Sequence, residues 1–456
     1  MVTFEPMGLN IRRLFRTQRV FVLSLDGVPC SLVRSKAAGG MFPSLRDLFQ
    51  HGSFMRMDSV LPPVSSVAWS TYMTGKNPAG HNIFGFIDRD PSTLKLFIPT
   101  GCHMKAKPLW ERLSELGKRV VVMNVPVTSP PRPVNGILIA GFLATDIEKA
   151  VYPPSLVPLL KEWGYQIDID AQRARADRSF LIEDLKRSTQ RRLAVATRLM
   201  EQEPWDFFHL HIMGTDRINH FLWRRWEDGD PCFAPAFEEY YRSLDRFIGQ
   251  TLVPFLDTKK GVNLVILSDH GFCRLHREVL LNRWLEEQGL LKLKCRSANS
   301  VEDMHPDSTA YSLIPGRIYL NLQGREPQGR VRPDRYRETL EGLREALFDL
   351  RDPETGERII ASVHLRDEIY KGAYLTQAPD MVALPCPGYD LKGNVNQPAL
   401  TRESDLEGMH TFDDAFLFIR DREIRREHFS ILDVTPTLLD LLGCKPFRDL
   451  EGRSLI

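Results

Sequence analysis

The chain has 456 residues, which suits one large α/β domain with insertions or two domains. Its 60 lysines and arginines against 59 aspartates and glutamates leave a net charge of +1, so the composition gives no signal for a nucleic-acid partner. Apolar residues make up 43% and charged residues 26%, as in an ordinary soluble globular protein. No apolar run approaches membrane-spanning length and the first twenty residues lack a signal-peptide core, so we predict a cytoplasmic protein without a membrane span.

Strand and helix signals alternate along the chain. The first is RVFVLSL, a nearly continuous apolar run of the kind that parallel strands buried on both faces show. Apolar residues at helical spacing follow in FPSLRDLFQHG, KPLWERLSELGK and the long RSFLIEDLKRSTQRRLAVATRLMEQ. Further strand signals, each after a helical segment, are RVVVMNVPV, WDFFHLHIM and NLVILS. These βα units predict an α/β fold with a mostly parallel, doubly wound sheet flanked by helices.

One part of the chain differs in composition from the rest. The stretch from Cys295 to Tyr374 is more polar, and the closing segments AFLFIRDREI and ILDVTPTLLDLLG then return to strand and helix signals. We therefore predict a catalytic core formed by residues 18–294 and 375–456, with residues 295–374 as an inserted or capping subdomain. The seven cysteines form no CxxC pair, which favours free thiols over a disulfide framework or a thiolate metal site.

Acidic and imidazole side chains stand where two apolar strands end. Asp26 follows LSL, and Asp269 and His270 follow VILS. A buried carboxylate at a strand end needs a cation, a cluster of donors or a turn to satisfy it, and open α/β sheets bind ligands beyond this edge. The alternative for Asp26 is a cap on the next segment, and for Asp269 a charged turn.

Asp216 and His220 are four residues apart. If the segment after Gly214 is helical, both side chains project from one face, which suits two ligands on one ion. A carboxylate and an imidazole together suit zinc or manganese. The alternative is a helix cap at Asp216 and a packed histidine at His220.

The turn LPPVSSVAWSTYMTGKNPAGH contains the candidate nucleophile. Ser70 and Thr71 indicate a short amphipathic helix that ends at Gly75, which puts Ser65 or Ser66 at its N-terminus. A serine there can be an ordinary N-cap, and it also faces backbone N–H groups and the positive end of the helix dipole, which favour an alkoxide and a bound phosphoryl group.

Together these motifs resemble those of the type I phosphodiesterase and nucleotide pyrophosphatase family of the alkaline phosphatase superfamily. The shared elements are the early strand-end aspartate, a hydroxyl upstream of TGKNPAGH, DRINH, DHG and the late GMH. The resemblance covers most of the chain and implies an alkaline phosphatase-like fold. It also implies two divalent metal ions, zinc or manganese, and a small phosphate ester as substrate.

The resemblance assigns roles to seven positions. It implies Ser65 as the nucleophile, with Ser66 as its rival. One metal would lie among Asp216, His220 and His410, and the other among Asp26, Ser65, Asp269 and His270. His81, His209, His211 and His276 are taken as structural. One departure is Ala68, where nucleotide pyrophosphatases usually have an asparagine that holds a phosphoryl oxygen; a backbone N–H, Asn124 or Arg325 are the candidates to replace it.

The predicted function is a two-metal hydrolase that cleaves a phosphodiester or pyrophosphate bond through a phosphoserine intermediate. The alternatives within the superfamily are a phosphomonoesterase and a phosphomutase. An alternative of a different class is a metal-stabilised binding protein without turnover. The sequence does not indicate the natural leaving group or the oligomeric state.

Overall fold

The computed structural model describes residues 18–456. The prediction that the first twenty residues lack a signal peptide falls almost wholly outside the described residues. Within residues 18–456, no helix is both long enough and apolar enough to cross a bilayer.

The centre of the fold is a sheet of eight strands. The five strands at its middle are parallel to one another, and antiparallel strands complete it at both edges. The predicted mostly parallel α/β sheet is therefore confirmed. In order across the sheet, the strands are Gly52–Met57, Ala415–Arg420, Val262–Leu267, Arg19–Leu25, Phe207–Ile212, Val120–Met123, Gly136–Ile139 and Val151–Tyr152.

The central strands are almost entirely buried, because their continuous apolar runs pack on both sides. Helices flank the sheet, and their apolar faces join the strands in one large hydrophobic core. The α-helices of the described chain are Cys30–Ala38, Pro43–Phe49, Ser65–Thr74, Pro78–His81, Leu109–Glu115, Val157–Glu162, Ala171–Ala176, Arg178–Gln202, Gly214–Glu227, Ala234–Phe247, Val253–Asp257, Leu281–Glu287, Tyr336–Phe348, Arg366–Ile369 and Val434–Leu441.

Smaller sheets accompany the central one and fit an inserted subdomain. A four-stranded antiparallel sheet and a three-stranded mixed sheet surround a second hydrophobic core, which includes side chains from Val279 to Val395. This core extends past both ends of the predicted insertion, and the division at 295 and 374 stays a prediction. The strands are Ala310–Leu313, Arg317–Leu320, Met381–Pro385 and Ile360–Leu365 in the first sheet, and Tyr389–Lys392, Arg277–Leu280 and Thr401–Arg402 in the second.

A two-stranded antiparallel ribbon lies beside the carboxyl edge of the central sheet. Its strands are Gly271–Arg274 and Gly408–Thr411, and their register pairs Phe272 with His410. The ribbon brings the late GMH motif back to the DHG motif, although more than a hundred residues separate the two in sequence. A second short ribbon pairs Asp88–Arg89 with Leu96–Phe97.

Candidate active site

Two neighbouring parallel strands deliver carboxylates to one edge of the sheet. Asp26 follows the strand Arg19–Leu25, and Asp269 follows the strand Val262–Leu267; the register pairs Ser24 with Leu267. Both carboxylates are fully buried. The strand-end motifs therefore converge as the sequence predicted.

Gly27 forms the turn that lets these groups approach. Its φ is +64°, a conformation that side chains other than glycine rarely adopt, and a Cβ there would lie 3.1 Å from Cε1 of His270. The Gly27 N–H donates to Oδ1 of Asp269 at 3.0 Å. The turn that follows Asp26 thus holds the Asp269 carboxylate close to that of Asp26.

Ser65 is the first residue of the helix Ser65–Thr74, which follows the extended residue Val64. The Ser65 hydroxyl donates to Oδ1 of Asp26 at 2.9 Å and lies 3.2 Å from Nε2 of His270. The hydroxyl of Ser66 makes no hydrogen bond to any residue in the range 18–456. Of the two candidate serines, only Ser65 contacts the carboxylate and imidazole groups.

The rest of this helix differs from the sequence prediction in one respect. The helix does end before Gly75, whose φ is +64°, and the Gly75 N–H donates to the Thr71 carbonyl at 2.9 Å. The predicted amphipathic character is wrong, because all ten residues are buried between the sheet and neighbouring helices. The hydroxyl of Ser70 donates to the Ser66 carbonyl, and that of Thr71 contacts His81, so both are used within the local structure.

A second group lies beside the first. Asp216 and His220 are in the first two turns of the helix Gly214–Glu227, as the four-residue spacing predicted, and His410 comes from the ribbon. Nε2 of His410 lies 3.1 Å from Oδ1 of Asp216 and 3.0 Å from Nε2 of His220. The His410 ring also stacks on that of His270, with 3.8 Å between centroids, so all seven predicted site residues lie together.

The three histidines share one hydrogen-bonding pattern. In each ring Nδ1 lies 3.0 Å from a backbone carbonyl: that of Gly408 for His220, Gly271 for His270 and Pro63 for His410. A carbonyl only accepts, so Nδ1 carries the proton and Nε2 of a neutral ring has a free lone pair. Metal-bound histidines are oriented in this way.

This arrangement fits metal ions. Nε2 of His220 and Nε2 of His410 face each other at 3.0 Å, and with both Nδ1 atoms protonated neither neutral ring can donate to the other. Oδ2 of Asp269 is buried and accepts no hydrogen bond within residues 18–456. Cations between these atoms would satisfy the lone pairs. Two sets of ligand atoms lie within 4.8 Å of one another: Asp216, His220 and His410, and Asp26, Asp216 and His270.

The protein's own charges do not balance at this site. Burial by itself would lower the pKa of His270, but the carboxylates of Asp269 and Asp26 raise it to about 10. Burial raises the pKa of Asp269, and the negative charge of Asp26 raises it further. Burial and the charge of His270 lower the pKa of His410 to about 4. The carboxylates therefore compete for few positive charges, which favours bound cations.

Two side chains that contact Asp26 were missed by sequence reasoning. Nε1 of Trp69 donates to Oδ2 of Asp26 at 2.8 Å, and Nε2 of His211 lies 3.2 Å from the same oxygen. The interpretation of His211 as purely structural leaves out this contact. A signal was present, because His209 and His211 alternate along a strand and so share a face, next to Ser24.

The candidates for holding a phosphoryl oxygen are only partly near the site. Asn124 is buried and donates to the carbonyl of Ile167, and Arg325 pairs with Asp380 in the second hydrophobic core. Neither residue lines the cavity described below, which disfavours both suggestions. At the start of the Ser65 helix, the N–H groups of Val67 and Ala68 donate to the Val64 carbonyl, so the remaining backbone candidates are those of Ser65 and Ser66.

A cavity of about 710 Å³ opens onto the site. Ser65, Asp216, His220 and His410 line one part of it. The remaining walls are largely apolar and include side chains of both hydrophobic cores, for example Phe221 of the large core and Leu391 of the second. The reacting groups thus lie at the base of a pocket that can enclose a small substrate.

Comparisons with known proteins agree with this geometry. The family described as type I phosphodiesterase / nucleotide pyrophosphatase matches residues 20–413. The chain belongs to this family, and the protein is a phosphodiesterase/nucleotide pyrophosphatase-like hydrolase. Membership of a hydrolase family disfavours the alternative of a binding protein without turnover. No curated protein matches the sequence.

Solved structures share the fold at low sequence identity. Murine ectonucleotide pyrophosphatase / phosphodiesterase 5 is 16% identical, with a TM-score of 0.56 over 94% of this chain and 96% of that chain. Phosphonoacetate hydrolase from Sinorhizobium meliloti, in complex with phosphonoformate, is 14% identical, with a TM-score of 0.63 over 94% and 96% of the two chains. The alkaline phosphatase-like architecture expected from the sequence is confirmed.

Proposed function

We propose that this enzyme cleaves a phosphodiester or pyrophosphate bond by two-metal phosphoryl transfer, through a phosphoserine intermediate on Ser65. The observation that carries the proposal is the contact of the Ser65 hydroxyl with Asp26 and His270, directly beside the group of Asp216, His220 and His410. A hydroxyl at a helix N-terminus among metal-ligand side chains is suited to nucleophilic attack on phosphorus.

Each metal has a proposed set of ligands. Asp26, Asp269, His270 and the Ser65 oxygen would hold one ion, and Asp216, His220 and His410 the other. Bound ions would supply positive charge to the deprotonated serine and to the nonbridging oxygens of the substrate. Mixed carboxylate and imidazole ligands suit zinc or manganese, and we propose one of these as the metal. We also propose that the protein is cytoplasmic, as inferred from the sequence.

Residues of the chain have separate roles in the proposed reaction. Ser65 forms a bond to phosphorus as the bond to the leaving oxygen breaks on the opposite side, and water cleaves the phosphoserine in the second step. Asp26 accepts the hydrogen bond that aims the serine oxygen. The carbonyls of Gly408, Gly271 and Pro63 keep the three imidazoles in one tautomer.

The proposed substrate class follows from the family. Among the similar structures, an inactive variant of the murine phosphodiesterase has been seen with AMP, and the phosphonoacetate hydrolase with phosphonoacetate. Diesters and pyrophosphates are therefore the first choice for this chain. A phosphomonoesterase is the alternative, because the same two-metal chemistry serves both.

The proposal can be tested by hydrolysis of bis(p-nitrophenyl) phosphate and p-nitrophenyl phosphate. Metal-free protein is resupplied with zinc or manganese, and Ser65→Ala is compared with the matched variant Ser66→Ala. We expect diester cleavage that depends on metal, is abolished in Ser65→Ala and is retained in Ser66→Ala.

Other outcomes have definite meanings. A preference for the monoester would move the assignment to a phosphomonoesterase. Equal loss in both serine variants, with zinc content retained, would argue against Ser65 as the specific nucleophile. Full activity of Ser65→Ala would exclude the phosphoserine intermediate.

A further inference from the structure

Arg217 lies in the wall of the cavity, one residue after Asp216 on the helix Gly214–Glu227. Its side chain is largely buried, with 13% of its surface exposed. An arginine side chain stays protonated in proteins, so Arg217 brings a fixed positive charge to the wall of the cavity.

The guanidinium group is held rigidly. Nη2 donates to Oδ2 of Asp168 at 2.6 Å, and Nε lies 3.5 Å from Oδ1 of the same carboxylate. The ring of Phe142 covers one face, with 4.5 Å between Cζ of Arg217 and the ring centroid. Phe142 in turn stacks on Phe86. One edge and one face of the guanidinium are thus fixed before any ligand binds.

The remaining edge of Arg217 faces the site. Nη1 lies 3.7 Å from Oδ2 of Asp216 and donates a hydrogen bond to no acceptor within the described part of the chain. Asp216 is itself a proposed metal ligand and lines the same cavity, so Nη1 lies next to the proposed metal site. A charged donor fixed in this way costs no reorganisation when negative charge develops.

The Ser65 helix offers no comparable side chain. Three residues after the serine stands Ala68, which is fully buried and carries no polar atom in its side chain. A cationic side chain that binds an anion between the two metal-ligand groups would therefore come from outside the serine helix, and Arg217 directly follows a proposed metal ligand.

We propose that Arg217 binds a nonbridging oxygen of the substrate's phosphoryl group through Nη1, with Asp168 as the positioning residue that holds the guanidinium. This inference rests on the proposed phosphoryl-transfer function. It adds a specific phosphate-binding group that acts through direct contact and not through the metal ligands.

The test is calorimetric titration of the zinc-loaded protein with inorganic phosphate, which does not require turnover. We compare the wild type with Arg217→Ala, Arg217→Lys and the control Arg192→Ala. Arg192 is a buried arginine that donates to the Ile167 carbonyl at 2.6 Å and does not line the cavity. Zinc content and melting temperature are measured for every variant.

We expect Arg217→Ala to weaken phosphate binding by about 10- to 100-fold, as for the loss of one charged hydrogen bond, with zinc content unchanged. Added guanidinium chloride at non-denaturing concentration should restore part of the affinity. Arg217→Lys should be intermediate, because it keeps the charge but not the planar fork. If Arg217→Ala does not fold, Arg217→Lys alone should still bind phosphate several-fold more weakly.

The results that overturn the inference are distinct from those that overturn the proposed function. Unchanged phosphate affinity in the Arg217 variants, or a loss that only follows zinc content, would show that Arg217 does not contact the anion. A comparable loss in Arg192→Ala would attribute the effect to general destabilisation. Zinc-loaded wild type that binds no phosphate and cleaves neither test ester would reject the proposed function itself.

Discussion

Two clusters of buried charged side chains in this molecule differ in how their carboxylates are neutralised. The site cluster consists of Asp26, Asp216, Asp269, His220, His270 and His410. The arginine network in and beside the second hydrophobic core consists of Arg89, Arg317, Arg325, Asp88, Glu326 and Asp380. Both clusters are largely buried, and an uncompensated charge is costly once it is removed from water.

In the arginine network, each acid has an arginine. Arg325 pairs with Asp380 at 2.6 Å and with Glu326 at 2.9 Å, while Arg317 lies 3.4 Å from Asp88. In the site cluster, the carboxylates face imidazoles whose Nε2 atoms converge, and the nearby Arg217 is already engaged by Asp168. The contrast indicates that arginines neutralise the acids of the arginine network, whereas the arrangement of the site cluster favours cations bound from solution.

The largest effect should come from Asp216→Asn. Asp216 belongs to both candidate ligand sets, so its loss should lower zinc affinity by more than about 100-fold and abolish turnover. Zinc titration and diester hydrolysis are the measurements. Asp390→Asn is the matched control, since Asp390 lines the same cavity but pairs with Lys392; similar losses in both variants would remove the distinction.

Replacing an aspartate by asparagine should change the free energy of unfolding differently in the two clusters. In the metal-free protein, Asp380→Asn should lower the free energy of unfolding by about 3–5 kcal/mol, because it removes one of the two buried carboxylates that pair with Arg325 and leaves only Glu326. Asp269→Asn should have little effect or stabilise, because burial and the charge of Asp26 both disfavour an ionised Asp269, and asparagine keeps the acceptor for the Gly27 N–H. Urea denaturation measures both, and equal destabilisation would contradict the comparison.

The arginine network should also shape the response to acid. Burial alone would raise the pKa of Asp380, but Arg325 lowers it below its usual value. A carboxylate with a depressed pKa contributes stability that is present above its unfolded pKa, near 4, and is lost as pH falls through the folded pKa. Urea midpoints between about pH 5 and pH 3 should therefore fall more steeply in the wild type than in Asp380→Asn.

The smallest effect should come from an exposed ion pair. Arg332 and Asp334 lie 3.0 Å apart on the surface, where solvent screens their attraction. Asp334→Asn should change the free energy of unfolding by less than about 0.5 kcal/mol. A larger change in thermal or urea denaturation would mean that burial is not what distinguishes the arginine network.

Much of the fold could be predicted from the sequence because its signals are local. The apolar run before Asp26 and the four-residue spacing of Asp216 and His220 each fix a structural element without reference to distant residues. The resemblance to a family then supplied His410, which no local pattern distinguishes from a surface histidine.

Other features depend on contacts between distant segments. Arg217 faces the site only because Asp168, in another segment, holds its guanidinium, and Arg89 finds Glu326 across more than two hundred residues. The second hydrophobic core likewise gathers Val279 and Val395 from outside the predicted insertion. Composition cannot reveal such pairings, so the polar stretch from Cys295 to Tyr374 indicated only the middle of the region around the second hydrophobic core.

The most direct test of the central claim is the zinc stoichiometry of the folded protein, measured by equilibrium dialysis and elemental analysis. The site cluster offers two sets of ligand atoms, and we expect two zinc ions per wild-type chain and one in His220→Ala, whose substitution leaves the set around Asp26 and His270 intact. Wild-type protein that binds no zinc or manganese at saturating concentration would contradict the account, because the site cluster would then be closed without cations.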